Sequence, residues 1–224
     1  VAGKMESQLR GINMSIRNAQ DGVGLIQTAE SGLNEIRNMV LRIRELAVQM
    51  ANGIYEDTPD RDNAQLEVAA LLSQVDLIAN NTKFNNVAVI DGSFTSVNIQ
   101  AGNTTAETIE LSFVDLAQTG LAINGADVGT QTSAIVVMGT MDTALQTIAS
   151  EQAKFGSLQN RLNYSISNLS RSSVMTEQAL GRIMDADFAR ESTELSKSQI
   201  LNQAATSMLA QANQSKTLLL QLIQ

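Results

Sequence analysis

The sequence predicts a mainly α protein: an elongated rod of long antiparallel helices with coiled-coil-like packing, plus a small β-hairpin element. Three observations lead there. Apolar residues recur in steps of three and four along both ends of the chain, the signature of helix seams. The 224 residues include one proline, no tryptophan and only 3% aromatic side chains. Between the two helical ends the apolar period changes to simple alternation. Compact cores are usually organised around aromatic rings that each bury about 150–250 Å², so this chain has to build its interior from Leu, Ile, Val and Ala.

The first helical block runs through Leu9, Ile12, Ile16, Ala19, Val23, Ile26, Ala29, Leu33, Ile36, Val40, Ile43, Ala47 and Met50. Its mean step lies close to that of a left-handed supercoil. Gly11, Gly22, Gly24 and Gly32 interrupt it at about 1 kcal/mol each relative to alanine, yet the period continues through them, which predicts one helix. In "LRIRELAVQMANG" the stripe is Val40, Ile43, Ala47 and Met50, with Arg42, Arg44, Glu45 and Gln49 outside it, and Asn52-Gly53 as the stop. So narrow a stripe needs a neighbouring helix. After a polar turn, "IYEDTPDR", a second helix over "DNAQLEVAALLSQVDLIANNT" is expected to fold back as an αα-hairpin. Its inner side is read as Leu66, Ala69, Ala70, Leu72 or Leu71, Val75 and Ile78.

Residues 83–134 form the β-hairpin and a variable connection. Asp91-Gly92 and Gly102-Asn103 are turn signals, flanked by alternation at Val97 and Ile99 and at Ile109, Leu111 and Phe113. The Gly, Thr and Asn content from Asp115 to Ala134 reads as an irregular surface connection. Helix returns near Ile135, with Met141, Leu145, Ile148, Phe155, Leu158, Leu162, Ile166, Leu169, Leu180 and Ile183 on one stripe, and a further seam follows "DADFARE". The expected division is therefore 1–82, 83–134, 135–184 and 185–224.

Chemistry-bearing residues are sparse. Without cysteine or histidine the chain lacks thiolate nucleophiles, imidazole bases and the commonest zinc ligands, so neither a catalytic site nor a cofactor is expected. Asp185, Asp187, Glu191 and Glu194 are spread around a helix and favour its dipole rather than converging on a cation. A formal charge of −8 with scattered basic residues argues against nucleic acid. No segment reaches the roughly 18–20 apolar residues of a membrane span.

The blocks "SIRNAQDGVGLIQTAESGLNEIRNMVLRIRELAVQMANG", "NNTKFNNVAVIDG", "GRIMDADFARESTELSKSQILNQAATSMLAQANQ" and "TLLLQLIQ" resemble bacterial flagellin in collinear order. Only residues 97–140 lack a clear counterpart. The resemblance implies a filament subunit exported by the flagellar secretion apparatus, with 1–82 and 135–184 in the tube-forming domain and 185–224 as the C-terminal half of an inner coiled coil. It also implies a matching N-terminal half, which is expected to be missing because the chain opens inside a helical pattern.

Leu201, Ala205, Met208, Ala212, Leu219 and Leu222 are the candidate assembly seam, whose expected partner is the matching N-terminal helix, and by the same resemblance other flagellin subunits are partners and an export chaperone covers the C-terminal helix. Arg42, Leu46 and Glu67 match contacts to the flagellin-sensing Toll-like receptor, while Leu41 stands where the family commonly has glutamine. Two other functions use similar scaffolds. A hook-filament junction protein would match less well in "RELAVQ" and "SKSQILNQA". A surface carbohydrate-binding homologue would need a groove of aromatics, for which Tyr55, Phe94 and Phe113 are the candidates.

Overall fold

The computed structural model describes the backbone of residues 1–222 and the side chains of residues 1–185 and 188–214. Three helices, α1 (Ala2–Met50), α2 (Asp62–Asn81) and α3 (Gln131–Leu222), carry two small antiparallel hairpins, β1 (Lys83–Phe84) with β2 (Val87–Ala88) and β3 (Ser96–Gln100) with β4 (Thr108–Ser112). The mainly α class with a small β element is as the periodicity predicts. The chain divides into two compact units, one formed by Arg10–Ser172 and the other by Val1–Leu9 with the chain from Ser173 onward. That division falls ahead of the 184/185 boundary read from the sequence.

In the larger unit α1 buries the expected stripe from Ile12 through Ala19, Ile26, Ala29, Leu33, Ile36, Val40, Ile43 and Ala47 to Met50. A second row, Ser15, Gly22, Leu25, Gly32 and Leu46, is buried beside it. The narrow stripe is thus one edge of a wider face, because α1 packs against more than one neighbour. The helix glycines belong to the added row. A Cβ at Gly32 would stand 2.6 Å from Thr82 Oγ1 and 2.8 Å from Ile90 Cδ1, and one at Gly22 would stand 3.2 Å from Ile99 Cγ1. A Cβ at Gly11 would collide with the Asn103 side chain at the tip of the β3–β4 hairpin. These glycines cost helix propensity and return close approach of the central segment.

The sequence phase of α2 is corrected by the structure. Its buried row is Ala64, Val68, Leu72, Val75 and Ala79, with Ile78 and Leu71 half-buried, whereas Leu66 is 70% exposed and Ala69 and Ala70 face solvent. The helix carries apolar residues on two faces, and the larger leucine was taken as the inner one.

The stretch from Asp115 to Ala134 is not a surface connection. Leu116, Leu121, Ile123, Ala126, Val128 and Ala134 are all buried. Polar side chains of α2 hold its backbone: Gln118 donates through N and Nε2 to the Asp76 carboxylate (3.0 and 2.6 Å), and Val128 N donates to Gln65 Oε1 (2.7 Å). Its Gly, Thr and Asn supply turns, and the apolar residues between them supply burial. Three of the few aromatic rings meet in this unit. Phe113 lies 5.4 Å from Phe94 and 5.5 Å from Phe155, both tilted contacts.

The β element follows the alternation, with Val97 opposite Leu111 and Ile99 opposite Ile109. The β1–β2 turn is Asn85-Asn86, both at positive φ (48° and 66°), a conformation asparagine tolerates in tight hairpins. On α3, Val137, Met141, Ala144, Ile148, Phe155, Leu158 and Leu162 are buried, joined by Glu151, whose Oε2 has no partner. In the smaller unit Ala2, Met5 and Leu9 are half-buried, as are Ser173, Thr176, Leu180 and Ile183. Every described side chain from Met184 to Gln214 is exposed.

Candidate functional site

Two surfaces carry the residues singled out from the sequence. The first lies at the C-terminal end of α1. Arg42 projects off the buried stripe and Glu67 sits beside buried Val68 on α2, so closing the αα-hairpin brings them together: Arg42 Nε donates to Glu67 Oε1 at 2.7 Å and Nη1 to Glu45 Oε2 at 3.4 Å. The bond to Glu67 raises the Arg42 pKa above its ordinary value. Arg44 reaches the other way, to Asp142 on α3, with Nε–Oδ1 at 2.5 Å and Nη2–Oδ2 at 3.4 Å. That pair raises the Arg44 pKa likewise. Both pairs are solvated, so they add little to stability; their effect is to orient two guanidinium groups on the surface.

Leu46 does not join this surface. It is 4% exposed and packs in the core, because the face of α1 turned to its neighbours is wider than the sequence stripe. The resemblance named Leu46 beside Arg42 and Glu67, and the structure places it inside. Arg42 and Glu67 remain on the surface, 50% and 45% exposed.

The structure also shows a residue the sequence reading passed over. Arg61, in the turn between α1 and α2, is 3% exposed. Its Nε donates to Met50 O (2.9 Å), Nη1 to Tyr55 O (2.5 Å) and to Asp57 Oδ1 (2.7 Å), and Nη2 to Asn52 O (2.9 Å). It caps the carbonyl end of α1 from eleven positions downstream. The usable signal was one arginine among Glu56, Asp57, Asp60 and Asp62, directly after a helix stop.

The second surface is the C-terminal part of α3. Leu201 is 59% and Met208 66% exposed, and Ala205 and Ala212 are exposed with them on one row. Leu195, Ile200 and Leu209 add to the exposed apolar area. Leu219 and Leu222, the last members of the expected seam, lie outside the described side chains. Asp185, Glu191 and Glu194 are exposed on the same helix, and Asp187 lies outside the described side chains. No group of three or more acidic, His or Cys side chains able to hold a metal occurs among the described residues. No described helix is long and apolar enough to cross a membrane. Phe94 and Phe113 pack in the core, so the aromatic groove expected of a carbohydrate-binding homologue is not built from them.

These features define a helical structural protein with an uncovered apolar row on its C-terminal helix. Comparison with known proteins agrees at both ends. The profile of the bacterial flagellin N-terminal helical region matches residues 1–95, and that of the bacterial flagellin C-terminal helical region matches residues 138–223. A flagellin of Halalkalibacterium halodurans is 37% identical over all of this chain and 82% of its own length. Flagellin FlaB1 of Treponema pallidum is 36% identical over all of this chain and 83% of its own. The crystal structure of Bacillus cereus flagellin superposes with a TM-score of 0.62 at 31% identity, covering 68% of this chain and 88% of that one. The chain belongs to the bacterial flagellin family.

Proposed function

We propose that this protein is a structural subunit of the bacterial flagellar filament, located outside the cell, and that it joins other flagellin subunits through the C-terminal part of α3 for motility. One observation carries the reading: Leu201, Ala205, Met208 and Ala212 form an apolar row at coiled-coil spacing that no other described side chain covers. Burying a leucine or methionine is worth about 1.5–3 kcal/mol each, and an isolated helix is marginal in water. The row therefore gains order only when another helix arrives, which suits a subunit that completes itself on assembly. The same exposed row supports an export chaperone on this helix before assembly. The solvated Arg42–Glu67 pair supports a role for these two residues, without Leu46, in contact with the flagellin-sensing Toll-like receptor.

The test is seeded growth of the full-length chain carrying Leu201→Ser and Met208→Ser together. Elongation should stop while the thermal melt of the Arg10–Ser172 unit stays at the parent temperature, since neither residue belongs to it. Growth at the parent rate would refute the assembly role of the row.

A further inference from the structure

Asparagine is followed directly by glycine at two places in the chain, Asn52-Gly53 and Asn124-Gly125. Such a pair carries a latent reaction of its own. The backbone nitrogen of the glycine attacks Cγ of the asparagine, the bond from Cγ to the side-chain nitrogen breaks, and ammonia leaves with the proton that the glycine nitrogen gives up. Water then opens the cyclic imide at either carbonyl, giving aspartate or, with the main chain rerouted through the side chain, isoaspartate. Amide plus water yields acid plus ammonia, so the atoms balance without any other reactant. Glycine favours closure because a residue without Cβ leaves the backbone free to turn. The peptide plane between the two residues has to swing until its nitrogen faces Cγ, so whatever holds that plane opposes the reaction.

All four residues are exposed, but the two planes are held differently. At Asn52 the plane is fastened: its oxygen accepts from Arg61 Nη2 at 2.9 Å and from Tyr55 N at 3.4 Å. The Asn52 side chain is engaged as well, with Oδ1 accepting from Ile54 N at 3.3 Å. Swinging this plane breaks a bond to a charged donor that also holds Met50 and Tyr55. At Asn124 only the ends of the turn are held. Ala126 N donates to Ile123 O (3.1 Å), Ile123 N to Gln118 O (2.9 Å) and Gln65 Nε2 to Ala126 O (3.3 Å). Neither Asn124 O, Gly125 N nor the Asn124 side chain has a hydrogen-bond partner among the described residues. The fold does not require glycine there either. A Cβ at Gly125 would meet nothing within 4 Å, and its φ lies outside the left-handed region.

We infer that Asn124-Gly125 is a site of spontaneous modification, converting to aspartate and isoaspartate in the folded chain, and that Arg61 shields Asn52-Gly53 from the same reaction. This chemistry lies beyond the filament reading and is independent of it. Each conversion replaces a neutral amide by a carboxylate close to exposed Asp127, in a chain already at −8. The isoaspartate product also lengthens the main chain by one methylene between Ile123 and Ala126, which are 0% and 6% exposed. Both ends are anchored, so the added length has to bulge outward at residue 124 or draw Ile123 from its contacts. The turn thereby records how long a folded chain has existed.

The test holds the full-length chain at mildly alkaline pH, digests samples at intervals and follows both asparagine peptides by mass spectrometry, with isoaspartyl methyltransferase labelling to count the rerouted product. In the folded chain Asn124 should convert about tenfold or more faster than Asn52. In urea the two should convert at similar rates, since neither plane is then held. Gly125→Ala should slow conversion of Asn124 about tenfold or more at an unchanged thermal midpoint, because a Cβ removes part of the backbone range that closure uses. Arg61→Met, still folded by circular dichroism, should speed conversion of Asn52. Equal rates at the two sites in the folded chain, or an Asn124 that stays intact, would overturn the assignment. A difference that survives in urea would place its cause in the neighbouring sequence and overturn the role of the hydrogen bonds, and an unchanged Asn52 rate in Arg61→Met would overturn the shielding.

Discussion

Replacing Arg61 by methionine keeps the aliphatic stem in place and removes the guanidinium fork. The carbonyls of Met50, Asn52 and Tyr55 then lose their donor together. Asn52 is exposed and its carbonyl also accepts from Tyr55 N at 3.4 Å, so water and that bond compensate there. Met50 is 3% exposed, so its acceptor stays dry, while Tyr55 is half-buried and its acceptor regains part of its hydration. A dry acceptor left unpaired costs about 1–3 kcal/mol, and with a smaller loss at the part-buried Tyr55 carbonyl the two come to about 3 kcal/mol in sum. The ion pair to Asp57 adds little, since that carboxylate is 68% exposed. For a unit of this size each kcal/mol moves the midpoint by about 2–4 °C, giving an expected fall of about 6–12 °C in a thermal melt followed by circular dichroism. Arg61→Lys should recover only part of this, because a point ammonium cannot reach acceptors spread around a planar fork. A midpoint for Arg61→Met within about 2 °C of the parent, less than the shift for a single kcal/mol, would refute the view that this side chain closes the turn.

Gly32→Ala should destabilise by about 1–3 kcal/mol despite better helix propensity, because Ile90 and Thr82 must give way, whereas Gly24→Ala, with only Phe84 Cε2 at 3.6 Å, should stabilise by up to about 1 kcal/mol; denaturant titration of the pair checks the contrast. Arg42→Ala should leave the thermal midpoint at the parent value, as surface changes usually do, and Ile43→Ala, fully buried, should cost about 2–5 kcal/mol, with receptor reporter signal lost for Arg42→Ala if the receptor proposal is right. The Asp91 carboxyl is held below its ordinary pKa, first by the Ser93 hydroxyl (2.6 Å) and then by the Ser93 amide (3.0 Å). A depressed carboxyl contributes stability that is complete above its unfolded pKa of about 3.9 and is lost as pH falls through the lower folded value. Asp91→Asn should therefore lower stability at neutral pH and flatten the decline below about pH 4, read from melts across the acid range.

Periodicity made α1, α2 and α3 legible because the step between buried residues is a property of the helix itself. Alternation and turn residues did the same for β3 and β4. Which face of α2 points inward was not legible, since Leu66 and Leu77 on one side and Val68, Leu72 and Val75 on the other both satisfy a helical step. The sequence reading mixed the two rows, and only the packing of α2 in the folded unit separates Leu72 and Val75, which are buried, from Leu66, which is not. The buried course of 115–134 escaped for a related reason. Its composition is that of a loop, and what fixes its backbone is Gln65 and Asp76, residues some forty to sixty positions away. Arg42 and Glu67 were named from resemblance and do meet, while Leu46 was named with them and lies inside, because the sequence does not reveal how wide a buried face is.

The notches at Gly11, Gly22 and Gly32 have a mechanical meaning. Smooth helices of Leu and Ala can slide past their neighbours by a turn at little cost, trading one set of ridges for another. Here three separate teeth, Asn103, Ile99 and Ile90, sit in keyways cut at intervals of eleven and ten residues along α1. The unequal intervals mean that no sliding movement re-engages all three, so the central segment has a single gauge position. Tension along α1 is resisted up to the point at which a tooth leaves its notch, and single-molecule pulling on the Arg10–Ser172 unit would record that as one abrupt rupture instead of a gradual extension.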